Sequence, residues 1–248
     1  MILRYDGTFA GFLTAVALAR ERSAEPEAIT DREPEQQGLF AAVEEVETDR
    51  DRAGELYQLI RRTLPAGAVQ TLRYAFHAGE PGREILLFRY LQLGLTTGPR
   101  FGAMLAHEAV IPVWKLARAV GREAHRYKGL VRFRQLEGDV WYAAMEPDHR
   151  ILPLIAPHFA ARFADQRWII HDRRRNEAVA FDPARREWAD IPLEVTGPLP
   201  LSAGEELFRD LWQRYFDRLS IAERHNPKLQ RQNLPLKHRR HLPEFERE

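Results

Sequence analysis

The stretch GLVRFRQLEGDVWYAAMEPDHRILPLIAPHFAARFADQRWIIHDRRRNEAVAFDPARREWADI, residues 129–191, decides the fold. Two runs of period two, Leu130 to Leu136 and Val140 to Met145, flank Glu137-Gly138-Asp139, which reads as a hairpin. Pro147-Asp148-His149 leads into a helical run from Ile151 to Phe163. Three further strand-like runs follow, Trp168 to His171, Ala178 to Phe181 and Trp188 to Ile191, joined by charged turns at 173–177 and 182–186. The pattern predicts an α+β fold: a central antiparallel sheet, largely from residues 129–191, with helices packed on it.

Upstream, Ile2 to Tyr5 reads as a strand, and Asp6-Gly7-Thr8 as a turn that caps a helix running to Arg22. Residues 23–37 are polar, carry Pro26 and Pro34, and read as an exposed connector. A strand at Phe40 to Val46 and a helix at Asp49 to Leu64 follow. Glu84 to Leu95 is a strongly apolar helix. Phe101 to Tyr127 reads as the longest helix, kinked or split at Pro112. A last helix, Ala203 to Ala222, places Leu207, Leu211, Trp212, Tyr215, Phe216 and Leu219 on one apolar face. We therefore expect one α+β domain over 1–223 and a basic, proline-punctuated tail over 224–248.

With 248 residues and 44% hydrophobic content the chain is long enough to bury a sizeable core. Its net charge of +1 hides segregation. Acids dominate Glu21 to Glu55, whereas Arg224 to His241 holds Arg224, Lys228, Arg231, Lys237, Arg239 and Arg240 and no acid. Local field rather than net charge steers a polyanion, so nucleic acid stays open as a partner. The absence of cysteine excludes disulfides, thiolate metal sites and cysteine nucleophiles within the chain. No apolar run approaches the ~18 residues of a membrane span, and the N-terminus does not read as a secretion signal. The expectation is a cytoplasmic protein with no membrane contact.

Chemistry concentrates between Ala119 and Asp172, where His125, His149, His158 and His171 each lie within four residues of an arginine. None shows a metal-ligand spacing. His107-Glu108 begins a zinc-protease motif that no later histidine completes, and the neighbouring arginines oppose a cation. We expect no metal. Phosphate-loop and dinucleotide patterns are also missing, so no cofactor is expected. Ser23, Ser202 and Ser220 lie outside any nucleophile elbow. Asp148, His149, His171 and Asp172 form a candidate acid–base set, since a carboxylate beside an imidazole orients it. The same residues suit a helix cap and a structural hydrogen bonder equally.

Polyanion contact has the broader basis. Arg118, Arg122, His125 and Arg126 recur at helical spacing. Lys128, Arg132 and Arg134 continue the basic character, with Arg132 and Arg134 expected on one side of a strand. His158 and Arg162 lie one turn apart. Tyr127, Phe133, Trp141, Tyr142 and Phe159 supply rings suited to stacking on bases.

Three segments carry a resemblance. YDGTFAGFLTAV (5–16), the block AHRYKGLVRF (124–133), WYAAMEPDHRILPLIAPHFAARF (141–163) and WIIHDRRR (168–175), and the tail NPKLQRQNLPLKHRRHLPEF (226–245) resemble a bacterial DNA-metabolism or repair family. That family carries the domain of unknown function DUF4130. Its genes typically sit beside one for a radical SAM DNA-modification or repair protein, and some members are fused to a uracil-DNA glycosylase-like domain. The resemblance implies DNA and that radical SAM protein as partners. It carries no established catalytic residue. Radical SAM chemistry needs a cysteine-held cluster, so it must reside in the partner.

The leading expectation is a DNA-binding repair accessory that recognises DNA or presents it to the radical SAM protein. Its contacts would be Arg118, Arg122, His125, Arg126, Lys128, Arg132, Tyr142, His158 and Arg162, with Arg174, Lys237, Arg239 and Arg240 on phosphates. Two alternatives stand beside it. One is a nucleobase- or phosphodiester-directed enzyme using the Asp148, His149, His171 and Asp172 set. The other is a protein–protein adaptor that does not bind DNA.

Overall fold

The computed structural model describes residues 1–32, 42–219 and 226–245. The chain separates into two compact units, Met1–Gly121 and Arg122–Glu248. Among the described residues there are eight α-helices and two sheets, a mixed α and β architecture.

The first unit is mostly helical around a small parallel sheet. β1 (Ile2–Arg4) lies between β2 (Ala28–Thr30) and β3 (Val43–Glu45), parallel to both. After β1, Asp6 fixes the turn: its carboxylate accepts from the Thr8 backbone and hydroxyl, and the Thr8 hydroxyl in turn accepts from the Gly11 amide at 2.9 Å. This N-cap starts α1 (Phe9–Glu21), whose Phe12, Leu13, Ala15, Val16 and Ala19 are all buried. The connector expected over 23–37 contains β2, because Ala28-Ile29-Thr30 suits a strand and Ile29 is buried against the unit's core. Residues 33–37 of it, and the Phe40 end of the next expected strand, lie outside the described residues.

α2 (Arg50–Thr63), α3 (Ala66–Phe76) and α4 (Arg83–Thr97) complete the unit's core with Leu56, Ile60, Leu72, Phe76, Leu87, Phe88 and Leu91. The Arg83 guanidinium, almost fully buried, bonds Asp31 at 3.3 Å, Glu84 at 2.9 Å and the Phe76 carbonyl at 2.9 Å. Tyr5 donates to Glu84 at 3.2 Å. Burial pushes the Glu84 carboxyl up, and Arg83 opposes that. This clasp ties the β1 end to α4.

The expected helix from Phe101 is shorter at its start and longer at its end. Residues 98–103 form a 3₁₀ helix, 104–110 are turns, and α5 runs Ile111–Leu130. Pro112 therefore sits in the first turn of α5, where the missing N–H costs nothing, and does not kink it.

In the second unit, β4 (Arg134–Leu136), β5 (Val140–Met145), β6 (Arg167–Asp172), β7 (Glu177–Asp182) and β8 (Glu187–Pro192) form one sheet in that order. Left-handed residues close its hairpins: Gly138 and Asp139, then Asn176, then Arg186. Three pairings are antiparallel, as expected, but β5 and β6 run parallel. The reason is the helix between them, α6 (Leu152–Arg162), which carries the chain back to the starting end of the sheet. β4 is also shorter than expected, because Leu130 still belongs to α5. Arg132 thus precedes the strand instead of sharing a strand side with Arg134.

Ladder partners share a face, so Trp168, Ile170, Val179 and Phe181 point one way while Tyr142, Ala144, Ile169, His171 and Ala178 point the other. The first face is buried with Ile155 and Phe159 of α6, and Trp168 stacks on Phe181 at 5.3 Å. α7 (Glu205–Leu219) follows, held by Gln213 on the Pro243 carbonyl at 2.8 Å and by Phe216 against Phe245. Its expected apolar face is largely uncovered: Leu207 is 63%, Leu211 51% and Tyr215 56% exposed. Residues 220–225, including Arg224 and the expected helix end at Ala222, lie outside the described residues. Residues 226–245 of the tail fold into α8 (Pro227–Asn233) and two 3₁₀ turns, with His238 and Leu242 buried.

Candidate functional site

On the Trp168 face of the second sheet a cavity of about 570 Å³ opens at the β4–β5 end. Phe133, Trp141, Phe163, Trp168 and Trp212 give it aromatic walls, and Arg132, Arg162 and Gln166 supply its polar groups. The walls hold one another in place. Phe133 meets Phe159 edge-on at 5.5 Å and Phe163 at 5.4 Å. Arg132 lies 5.4 Å over the Trp212 ring, and Glu244 fixes both, accepting from Arg132 at 2.8 Å and from Trp212 Nε1 at 3.1 Å. Arg162 lies 5.7 Å over Phe163.

Further positive charge gathers beside it. His158 is pushed below the usual histidine range by burial first, then by the charges of Lys128 and Arg162. Those two cations therefore lie close to His158 and to the cavity wall that Arg162 and Gly129 contribute. Of the expected contacts, Arg132 and Arg162 line this cavity with the aromatic Trp141, while Lys128, next to Gly129 of the wall, and His158, one turn before Arg162, stand beside it. Of the other expected rings, Phe159 is buried beneath the cavity, and Tyr142 points to the opposite face of the sheet. Trp168, Phe163, Gln166 and Trp212 join the wall beyond the residues that the sequence points to. Trp212 carried the available signal, as part of a helix with more large apolar residues than one face needs.

Of the acid–base candidates, Asp172 and the Asp148–His149 backbone meet around Arg175, while His171 faces away. His171 and Asp172 are neighbours in β6 and so face opposite sides of the sheet. Asp172 is 1% exposed and accepts from Arg175 at 2.6 Å and from the Arg174 amide at 3.0 Å. Burial pushes its carboxyl up, and Arg175 opposes this. Arg175 also donates to the carbonyls of Asp148 at 2.6 Å and Pro147 at 3.2 Å. From the other side, the buried Glu123 carboxylate accepts the amides of Asp148 at 2.9 Å and His149 at 2.8 Å. Glu123 and Arg175 thus clamp the 147–149 loop and leave its shape over-determined. The Asp148 side chain engages Lys237 and Arg174, and the Lys237 hydrogen bond is the main cause that holds its carboxyl below the usual range. His171, 1% exposed, lies 2.7 Å from the Tyr142 hydroxyl through Nδ1 and is held below the usual histidine range, chiefly by burial.

The expected phosphate contacts of the tail meet the unit's own groups. Lys237 is on Asp148, and Arg240 and His241 are on Glu146 at 3.0 and 3.1 Å. Arg239 is buried, 4.4 Å over the Phe245 ring. Arg126 lies 3.1 Å from His238. Arg122 and His125 are exposed on α5, and Arg118, in the first unit, sits 5.1 Å over Trp114. Among the described residues no three His, Asp or Glu side chains gather as a metal would require, and no helix is long and apolar enough to cross a membrane.

Compared with known proteins, the chain matches one family model over residues 81–244, that of DUF4130, a domain of unknown function. No curated protein and no solved structure matches.

Proposed function

The chain belongs to the DUF4130 family, and we propose that its second unit binds DNA at the aromatic cavity. Bases stack on Trp141 and the neighbouring rings, and Arg132, Arg162, Lys128 and His158 contact phosphates. The observation that carries this reading is the placement of Arg132 and Arg162 in an aromatic cavity wall, with Lys128 beside them. Rings accept any base face, and cations beside them hold the strand that carries the bases. An unstacked or single-stranded base reaches such a cavity more readily than a paired one, so single strands are the preferred form. In this reading the protein acts as an accessory that holds DNA for a separate radical SAM protein, whose cluster chemistry a cysteine-free chain does not perform.

Polarisation titrations with labelled single- and double-stranded oligonucleotides test the reading. Binding at low salt should weaken steeply as salt rises. No binding to either form at low salt would overturn it. A second reading, protein docking, draws on the uncovered apolar face of α7, which suits the radical SAM partner. Co-purification with that partner, retained when Leu211 and Tyr215 are changed to serine, would count against it.

A further inference from the structure

On the opposite face of the second sheet lies a smaller cavity of about 120 Å³, lined among others by Arg134, Tyr142, Ala144, Arg173 and His241, with no carboxylate in its wall. Trp141 and Tyr142 are adjacent in β5, so one ring faces the aromatic cavity and the other faces this one. Arg134 stands directly across from Tyr142 in the β4–β5 ladder. The small Ala144 side chain keeps the floor low.

One charge here is unmatched. The Arg173 guanidinium is exposed and makes no ion pair with the described residues. Its charge and that of Arg134 act together on the Tyr142 hydroxyl. His171 and His241 are both held below the usual histidine range, by burial first and also by Arg173, although Glu146 partly relieves His241. Two acids are tied to this wall, Glu146 through His241 and Glu244 through Arg132.

The Tyr142–His171 pair supplies a directed donor. His171 Nε2 is buried without a hydrogen-bond partner among the described residues, and the Leu193 backbone beside the ring opposes the fall in its pKa. A neutral imidazole carries one N–H. Placed on Nε2, that proton meets only the Leu193 backbone, at a geometry poorer than a hydrogen bond. Placed on Nδ1, it donates to the Tyr142 oxygen at 2.7 Å. In that tautomer the Tyr142 O–H is left free to donate into the cavity that Tyr142 lines.

We propose that this cavity binds a phosphate-class oxyanion, held by the guanidiniums of Arg173 and Arg134 and by the Tyr142 O–H. Guanidinium forks match the oxygens of such an anion, and their hydrogen bonds are charge-assisted. The site stands independently of the nucleic-acid reading, although Arg132 lines both cavities.

Inorganic phosphate is titrated into the full chain at constant ionic strength, with calorimetry and the imidazole NMR signals of His171 and His241 as readouts. Saturable binding at one site is expected, and occupancy should raise the pKa of both histidines. Arg173→Met should abolish saturation. Tyr142→Phe, which keeps the ring and removes one donor, should weaken binding about tenfold. Trp141→Ala should leave phosphate binding unchanged while weakening oligonucleotide binding, which separates failure of this site from failure of the aromatic one. Competition by a 5′-phosphorylated oligonucleotide, but not by its unphosphorylated twin, would assign the site to terminal phosphates. Competition by neither would assign it to the free anion. Absence of saturable binding to the folded protein, or equal affinity in wild type, Arg173→Met and Tyr142→Phe, overturns the proposal.

Discussion

Around Glu146 and Asp148 the cations of the tail meet carboxylates of their own unit, whereas Lys128, His158 and Arg162 are set against one another beside an aromatic cavity. In sequence the two regions look alike, each dense in arginine, lysine and histidine. The difference lies in what faces them. Lys237, Arg240 and His241 fold onto Asp148 and Glu146, so their charge holds the tail in place. Beside the cavity the charges add instead, and burial together with Lys128 and Arg162 holds His158 below the usual histidine range. Density of basic residues does not by itself make an anion-binding surface; the placement of the acids decides it.

Substitutions can break this comparison. Arg175→Met, on the clamped side, should have the largest effect, lowering unfolding free energy by about 3 kcal/mol because Asp172 is left buried and unpaired. Denaturant unfolding reads this out, and a loss under about 1 kcal/mol would show that the clamp is dispensable. On the cavity side, Trp141→Ala should weaken oligonucleotide binding by about 2 kcal/mol, the cost of one lost base stack. Lys128→Gln with Arg162→Gln should weaken it about tenfold and flatten the salt dependence by roughly two ions, with unfolding unchanged.

Asp148→Asn should have the smallest effect. The Asp148 carboxyl ionises below its ordinary range in the folded state. Its pairing therefore stabilises above the ordinary aspartate range and is lost as pH falls through the depressed value. The group is half exposed, so the loss should be under about 1 kcal/mol and should vanish in strong acid, where the wild-type carboxyl is as neutral as the amide that replaces it. Unfolding of wild type and Asp148→Asn across the acid range would measure it.

The strands of the second sheet were legible because Val140–Met145, Trp168–His171 and Ala178–Phe181 alternate between clear turn residues. The parallel step from β5 to β6 was implicit in the helix between them but invisible to periodicity. α3 escaped notice because its Ala-Gly-Ala start follows Pro65 without a capping side chain. The start of α5 was hidden because Phe101, Leu105 and Val110 keep an apolar rhythm through turns. In the site, helical spacing was enough to pair His158 with Arg162, but not to bring Lys128, from the preceding helix, beside them. Trp168 and Trp212 depended on sheet register and on where α7 docks, which local pattern does not carry. The partners that engage the tail, Glu146 and Asp148, lie some 90 residues away in sequence. Nothing local predicts such pairings.

One titration bears most directly on the central claim. A labelled single-stranded oligonucleotide is bound at low salt by wild type, by Lys128→Gln with Arg162→Gln, and by Arg240→Gln from the carboxylate-matched side. The account predicts about tenfold weaker binding for the cavity pair and a change within about twofold for Arg240→Gln. Equal loss in both variants, or loss only in Arg240→Gln, would contradict it.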